Sequence, residues 1–417
     1  MKRSLALVLL AVLAMSTLLF AACDRHENEG QGIKKAEFEY EGLTSDGDEK
    51  NTFAQKFAIE KFHDEQNRKY TEIQVFDSDN KLDTAWILLP EGVEQVSVIK
   101  QEGNSVNGKE IEVYRMTWQD RQNIMVSSAS TMALINAMDA LSKVPMTTAD
   151  TTWRIQEIKD AIDKGTVKEV GKYSKPDYEQ IISIGAEKHV TFAVFSTMLD
   201  SVPDVYDQLT KTCNLRIMRD QSSYESHPLG RTEWIKIYGE IFDMRDKSDA
   251  VFNGQVEILN ETTSKINVPE AERKTVLIFY TTSTKDTFYV RNAADYVTEL
   301  VNLGGGKQVA EIGPGKSGNT KMTQESFIQE CSQADYVLYN WTSGASGVKD
   351  ESLQGLIDAR LGDWFKDFKA YKEGNVWRTS NDFYQKMDKM GEMVADIYKM
   401  LYGENVSDTL TYVNRLK

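Results

Sequence analysis

Gly313-Pro314-Gly315-Lys316-Ser317 carries the glycine, lysine and hydroxyl with which a phosphate loop wraps a nucleotide. That loop needs a further glycine five positions before Gly315, where this chain has Ala310, so the stretch reads as a flexible surface loop. Gly344-Ala345-Ser346-Gly347-Val348 offers the serine of a nucleophile elbow, the strained turn that exposes a hydroxyl for acyl transfer. Val348 stands in place of its closing glycine. The four histidines, His26, His63, His189 and His227, are too scattered for a multi-histidine cage around a bare zinc or manganese ion. No complete catalytic constellation emerges, and the chain is not expected to be an enzyme.

Cys23 is the residue with the clearest chemistry. Lys2 and Arg3 precede an apolar run over residues 5–20, and Ala21 and Ala22 stand just before the cysteine. A charged start, a short apolar stretch and small residues are the layout of a secretory signal. The run is short for a membrane span, which needs about 20 apolar residues, and polar sequence follows at once. Phe20-Ala21-Ala22-Cys23 resembles a lipobox, with Phe20 where leucine is usual. The expectation is a thiol that takes a lipid and becomes the N-terminus of the mature chain. Removing Lys2 and Arg3 from 49 basic residues leaves 47 against 64 acidic ones, a net charge of −17. Such a surface repels phosphates and argues against a nucleic-acid partner.

The elements that position the remaining residues follow from periodicity. Residues 24–32 are polar, charged and aperiodic, as in a tether, and 44–51 read as an acidic loop. Strand-length apolar patterns occupy 56–62, 70–76, 84–89 and 110–116. From Val126 onward strands and helices alternate, the rhythm of an α/β layer with a mostly parallel sheet. The rhythm breaks at 233–242 and at 247–266, where Phe252, Val256 and Leu259 mark one face of a long helix. It restarts at 275–280 and closes with a helix over 383–402. The fold class is therefore α/β, with two lobes of mostly parallel sheet joined by one long rigid helix and a cleft between them. The expected boundaries are a signal over 1–22, tether and extension over 23–50, a first lobe over 51–230, joining helices over 231–270 and a second lobe over 271–417. Cys213 and Cys331 then fall in different lobes as separate thiols.

Residues 55–405 resemble the substrate-binding lipoproteins of ABC importers for iron complexes and cobalamin. The resemblance rests on Val126-Ser127-Ser128 before a helix, and on Val170-Gly171-Lys172-Tyr173 followed by 176–182. It rests further on 227–234, and on 323–327 followed by Ala334-Asp335-Tyr336-Val337. Lys188-His189 stands where the family often has Pro-Asp, and about 70 residues precede the first family-like strand. The resemblance implies a permease dimer with its ATPase as partner, a monomeric receptor and a metal chelate as ligand. It also implies that Glu179 and Glu325, one per lobe, dock on the permease. No cofactor is implied.

Open α/β sheets bind ligands beyond the carboxyl ends of their strands. That rule selects Ser127, Ser128, Lys172, Tyr173, Phe195, Ser196, Tyr224 and His227 from the first lobe, and Thr282, Trp341, Arg378 and Tyr384 from the second. Lys172 and Arg378 would attract an anionic chelate, and the aromatic residues would supply flat apolar area. Packing is open beside ligand contact for His227, and His189 is expected to be structural. The resulting expectation is a lipid-anchored receptor at the cell envelope, on the periplasmic face of the inner membrane or the cell surface, that delivers a ferric siderophore. Heme or cobalamin binding, an anchored α/β enzyme acting on a metal chelate, and a lipoprotein that stores or relays its ligand stand beside it.

Overall fold

The computed structural model describes residues 33 and 35–417, except 104, 107, 108, 150–152 and 283–285; Cys23 and the expected tether lie outside the described residues. Three main sheets organise the chain. The first precedes the α/β rhythm. Its strands run in the order Leu43–Glu49, Phe57–Asp64, Lys69–Phe76, Leu82–Leu88 and Val113–Met116. Neighbours are antiparallel except the last pair, which is parallel. The acidic stretch expected as a loop is thus the outer strand Leu43–Glu49. Its polar side chains are mostly exposed, as suits an edge that must not pair with another chain. Trp86 on this sheet meets Phe192 of the next sheet at 5.0 Å, edge to face.

The second sheet is wholly parallel. Met125–Ser127 lies at its centre between Met146–Thr147 and Phe192–Ser196, with Lys168–Glu169 and Arg216–Asp220 outside. Phe192, Ala193, Val194 and Phe195 are all buried, which is why that run is apolar without alternation. The third sheet sets Thr275–Thr281, Tyr336–Tyr339 and Val376–Thr379 in parallel. Antiparallel strands Thr287–Arg291, Asn319–Thr323 and Val413–Arg415 extend its flanks.

Three helical pieces, Pro228–Glu233, Ile235–Phe242 and Arg245–Thr263, join the two α/β lobes. The expected single helix is the 19-residue last piece; Asp243, in the left-handed region at φ 55°, turns the chain before it. Phe252 and Leu259 are buried on its inner face. Gly391, on helix Met390–Tyr402, lies where a Cβ would come within 2.3 Å of the Gln255 carbonyl. Glycine there lets the two backbones touch.

Two buried carboxylates fasten the first sheet to these helices. Glu233 accepts the backbone N–H groups of Thr52, Phe53 and Ala54 at 2.7–2.8 Å. It also pairs with Lys236 at 2.8 Å. Glu225 accepts from Gln55 and Lys56 N–H at 2.8 Å and from the Trp234 indole at 3.0 Å. The segment 52–56 forms no regular structure, and its amides find partners in side chains instead.

Candidate ligand-binding cleft

Segments that follow parallel strands of the second and third sheets meet. Arg154, beyond strand Met146–Thr147, donates its backbone N–H to the Gln385 side chain, beyond strand Val376–Thr379, at 2.9 Å. Thr232 donates its hydroxyl to the Met387 carbonyl at 2.8 Å, closing the hinge side.

At the floor stands a cluster of two arginines and two tyrosines. The Arg231 guanidinium carbon lies 3.6 Å from the Tyr296 ring centre. The same arginine donates to the Ser223 carbonyl at 2.6 Å and the Glu225 carbonyl at 3.3 Å, so it ties a loop of the first lobe to a helix of the second. Arg291 donates to the Tyr384 hydroxyl at 2.9 Å and to Asp295 at 3.2 Å. Asp295 also accepts from Val297 N–H at 3.0 Å, which caps helix Tyr296–Leu303. Burial opposes the charge on Arg231 and lowers its pKa. Burial opposes Arg291 too, but Tyr384 and Asp295 more than offset it and hold that pKa above the usual value. Burial raises both tyrosine hydroxyls, so they remain protonated donors.

The C-terminal lip adds a third cation. Arg378 lies 4.4 Å over the buried Trp341 ring and pairs with Glu351 at 2.8 Å. Arg291 Nε and Arg378 Nη1 have no hydrogen-bond partner among the described residues. On the opposite lip, Asp220 ends its strand and accepts Ser222 N–H at 2.8 Å, which shapes the turn bearing Tyr224.

The expected residues divide accordingly. Tyr384 contacts Arg291, Arg378 lies over the Trp341 ring, which is itself buried in the core of the second lobe, and Tyr224 is exposed in the turn after its strand; Thr282 directly follows its strand, and Ser196 ends its own. Lys172 and Tyr173 belong to the tight hairpin Gly171–Lys172 with Lys175–Pro176, where Lys172 is exposed. Ser127 and Ser128 are buried: Ser127 accepts the Thr148 hydroxyl at 2.6 Å, and Ser128 caps helix Ala129–Ala137. Phe195 needs correction, since its side chain is 1% exposed within the core of the first lobe and has no surface to offer a ligand.

His227 is likewise engaged structurally. Its ring stacks on Phe53 at 4.2 Å, and its Nδ1 accepts the Leu229 N–H at 3.1 Å, capping helix Pro228–Glu233. Burial pushes its pKa down to about 4, so the cap is a neutral imidazole. The unfolded chain protonates this group near pH 6.5 and the folded chain only near pH 4. Its contribution is therefore complete above pH 6.5 and lost as pH falls toward 4. Glu225, raised to about 6 by burial, works in the opposite direction, so the comparison must be a difference between variants. His227→Asn, which keeps a capping acceptor, is expected to lose up to about 3 kcal/mol less than the parent between pH 6.5 and 4. Parallel pH-dependent denaturation curves would contradict this.

His189 ends helix Tyr178–Lys188 in the left-handed region, and His63 pairs with Asp46, so these imidazoles belong to separate elements. Cys213 and Cys331 are free thiols. The Gly313–Ser317 stretch is held by Asn292, which donates to the Ser317 carbonyl at 2.9 Å. Sequence reasoning missed Arg231 and Arg291. Arg231 lies within the quoted motif over 227–234, but its partner Tyr296 is 65 positions away.

No protein-family model matches the chain. Two uncharacterized lipoproteins of Methanocaldococcus jannaschii are similar in sequence. One is 26% identical over 268 residues, 63% of this chain and 64% of the relative. The other is 22% identical over 259 residues, 60% of this chain and 56% of the relative. The chain thus spans only those parts of the lengths of these relatives. Among solved structures, an ABC transporter substrate-binding protein from Listeria monocytogenes matches at a TM-score of 0.52 and 17% identity. That match covers 68% of this chain and 99% of the other. A periplasmic heme-binding protein from Pseudomonas aeruginosa matches at 0.54 and 13%, covering 71% and 98%. A possible iron-binding, periplasmic solute-binding protein from Staphylococcus epidermidis matches at 0.51 and 12%, covering 67% and 98%. At these identities the likeness establishes the fold, which is that of two-lobed periplasmic binding proteins.

Proposed function

We propose that this chain is the substrate-binding lipoprotein of an ABC importer, and that it takes an anionic iron complex into the cleft between its lobes. The observation that carries this reading is the floor, where Arg231 of the joining helices stacks on Tyr296 and Arg291 meets Tyr384, so that a cation from the hinge and one from the second lobe stand beside two phenols of the second lobe. Guanidinium groups in such a partly dry setting bind carboxylate or catecholate oxygens by charge-assisted hydrogen bonds. A ferric siderophore supplies such oxygens, and a heme supplies two carboxylates to the same cations. Cobalamin, the other cargo that the sequence resemblance implies, offers the floor less charge to match. The iron is cargo here, and no bond of the ligand is made or broken.

Cys23 would hold the receptor at the envelope by a lipid, with residues 24–32 as a leash that raises its local concentration near a permease. Glu179 and Glu325 support docking. Each is exposed in the first turn of a helix, one per lobe, and neither has a salt bridge among the described residues. Ile182, three residues after Glu179, is 44% exposed, so a carboxylate and an apolar side chain share one helix face. Glu179→Lys with Glu325→Lys is expected to leave ligand affinity unchanged and to abolish uptake by cells carrying the importer. Normal uptake by the double variant would refute this docking. Equilibrium dialysis with ferric chelates and heme, counting bound iron, tests the ligand class; retention of none of them would overturn it.

A further inference from the structure

Four large apolar side chains stand exposed among the described residues, and two of them, Met198 and Tyr224, occupy neighbouring loops on one lip of the cleft. Met198 is 53% exposed and follows strand Phe192–Ser196; Tyr224 is 44% exposed and follows the adjacent strand Arg216–Asp220. The loops are linked, since the Thr197 and Ser223 hydroxyls lie 3.3 Å apart. The Tyr224 turn is also held from within. Arg231 takes the Ser223 and Glu225 carbonyls, and Asp220 takes the Ser222 N–H. Two large apolar groups thus stand in water on a braced surface beside the cationic floor, where an apolar part of a ligand held at that floor would cover them. Arg231 joins this lip directly to the cationic floor, because its other face stacks on Tyr296.

We infer that Met198 and Tyr224 form an apolar shelf that selects amphipathic iron chelates, ones with a broad apolar flank beside their anionic groups, over compact hydrophilic ones. Resting on the cleft reading above, the inference fixes the ligand's orientation: the apolar flank lies on the N-terminal lip, and the anionic edge points to Arg231, Arg291 and Arg378. The Met198 thioether is polarizable and adapts its shape, and the Tyr224 ring supplies a flat face. Two ligand chemistries share these features, an aromatic tris-catecholate siderophore and an iron porphyrin.

The test is equilibrium dialysis of the mature chain against three probes, with bound iron counted. The probes are ferric dicitrate, which is anionic without an apolar flank, a ferric tris-catecholate, and hemin. At least one of the latter two is expected to bind about tenfold or more tighter than ferric dicitrate, and whichever does so names the source. Met198→Ser with Tyr224→Ser, both at exposed positions, is expected to remove about tenfold of that preference, read as the ratio of the two affinities. Equal affinities for all three probes, or a preference untouched by the double substitution, would overturn the shelf while leaving the receptor reading in place. Retention of no probe would overturn both.

Discussion

Arg291→Gln is expected to weaken binding of every anionic iron chelate by about 10- to 100-fold, while the protein stays folded. A hydrogen bond to a charged group contributes about 1.5–3 kcal/mol, which converts to that range. The arginine sits between the Tyr384 hydroxyl and Asp295, and it is the cation whose charge the surroundings favour most clearly. Glutamine can still reach Tyr384, so the floor keeps its shape and loses its charge. Raising salt should narrow the gap between parent and variant only slightly, because the pair is largely buried and poorly screened. Titration of both proteins with one chelate at two salt concentrations checks this. An unchanged affinity would place the ligand elsewhere.

Glu233→Ala is expected to destabilise the chain by about 3–5 kcal/mol, the cost of leaving a buried charge without its partner. Glu233 is fully buried and takes three consecutive backbone amides as well as the Lys236 ammonium. Removing it leaves Lys236 with Glu49, 3.8 Å away, and the Phe252 ring, and leaves the amides of 52–54 without acceptors. Phe53 would loosen with them, and with it the ring that His227 stacks on. The effect should therefore reach the joint between the first sheet and the hinge rather than stay local. Urea unfolding measures it, and a loss below about 1 kcal/mol would contradict the fastening role.

Much of this architecture is legible in the residues. Phe192–Ser196 announces a strand buried on both faces by its unbroken apolar run, and the spacing of Phe252, Val256 and Leu259 announces the long helix. The same run also explains an error, because residues at a strand's carboxyl end can face the core, as Phe195 does, as readily as the cleft. Leu43–Glu49 is hidden from pattern reading for a different reason: an edge strand protected by charge has no apolar alternation to show. The clamps at Glu225 and Glu233 leave no side-chain signature in the partner segment, since what they hold is backbone. The floor is illegible because it is assembled from positions 231, 291, 296 and 384, which only the folded hinge brings together.

The most direct measurement is native mass spectrometry of the mature chain incubated with hemin and a ferric tris-catecholate, run beside the double variant Arg231→Gln, Arg291→Gln. A one-to-one adduct carrying iron is expected on the parent and is lost from the variant. Bare parent protein with both chelates, or an equally abundant adduct on the variant, would contradict an iron complex held at the cleft floor.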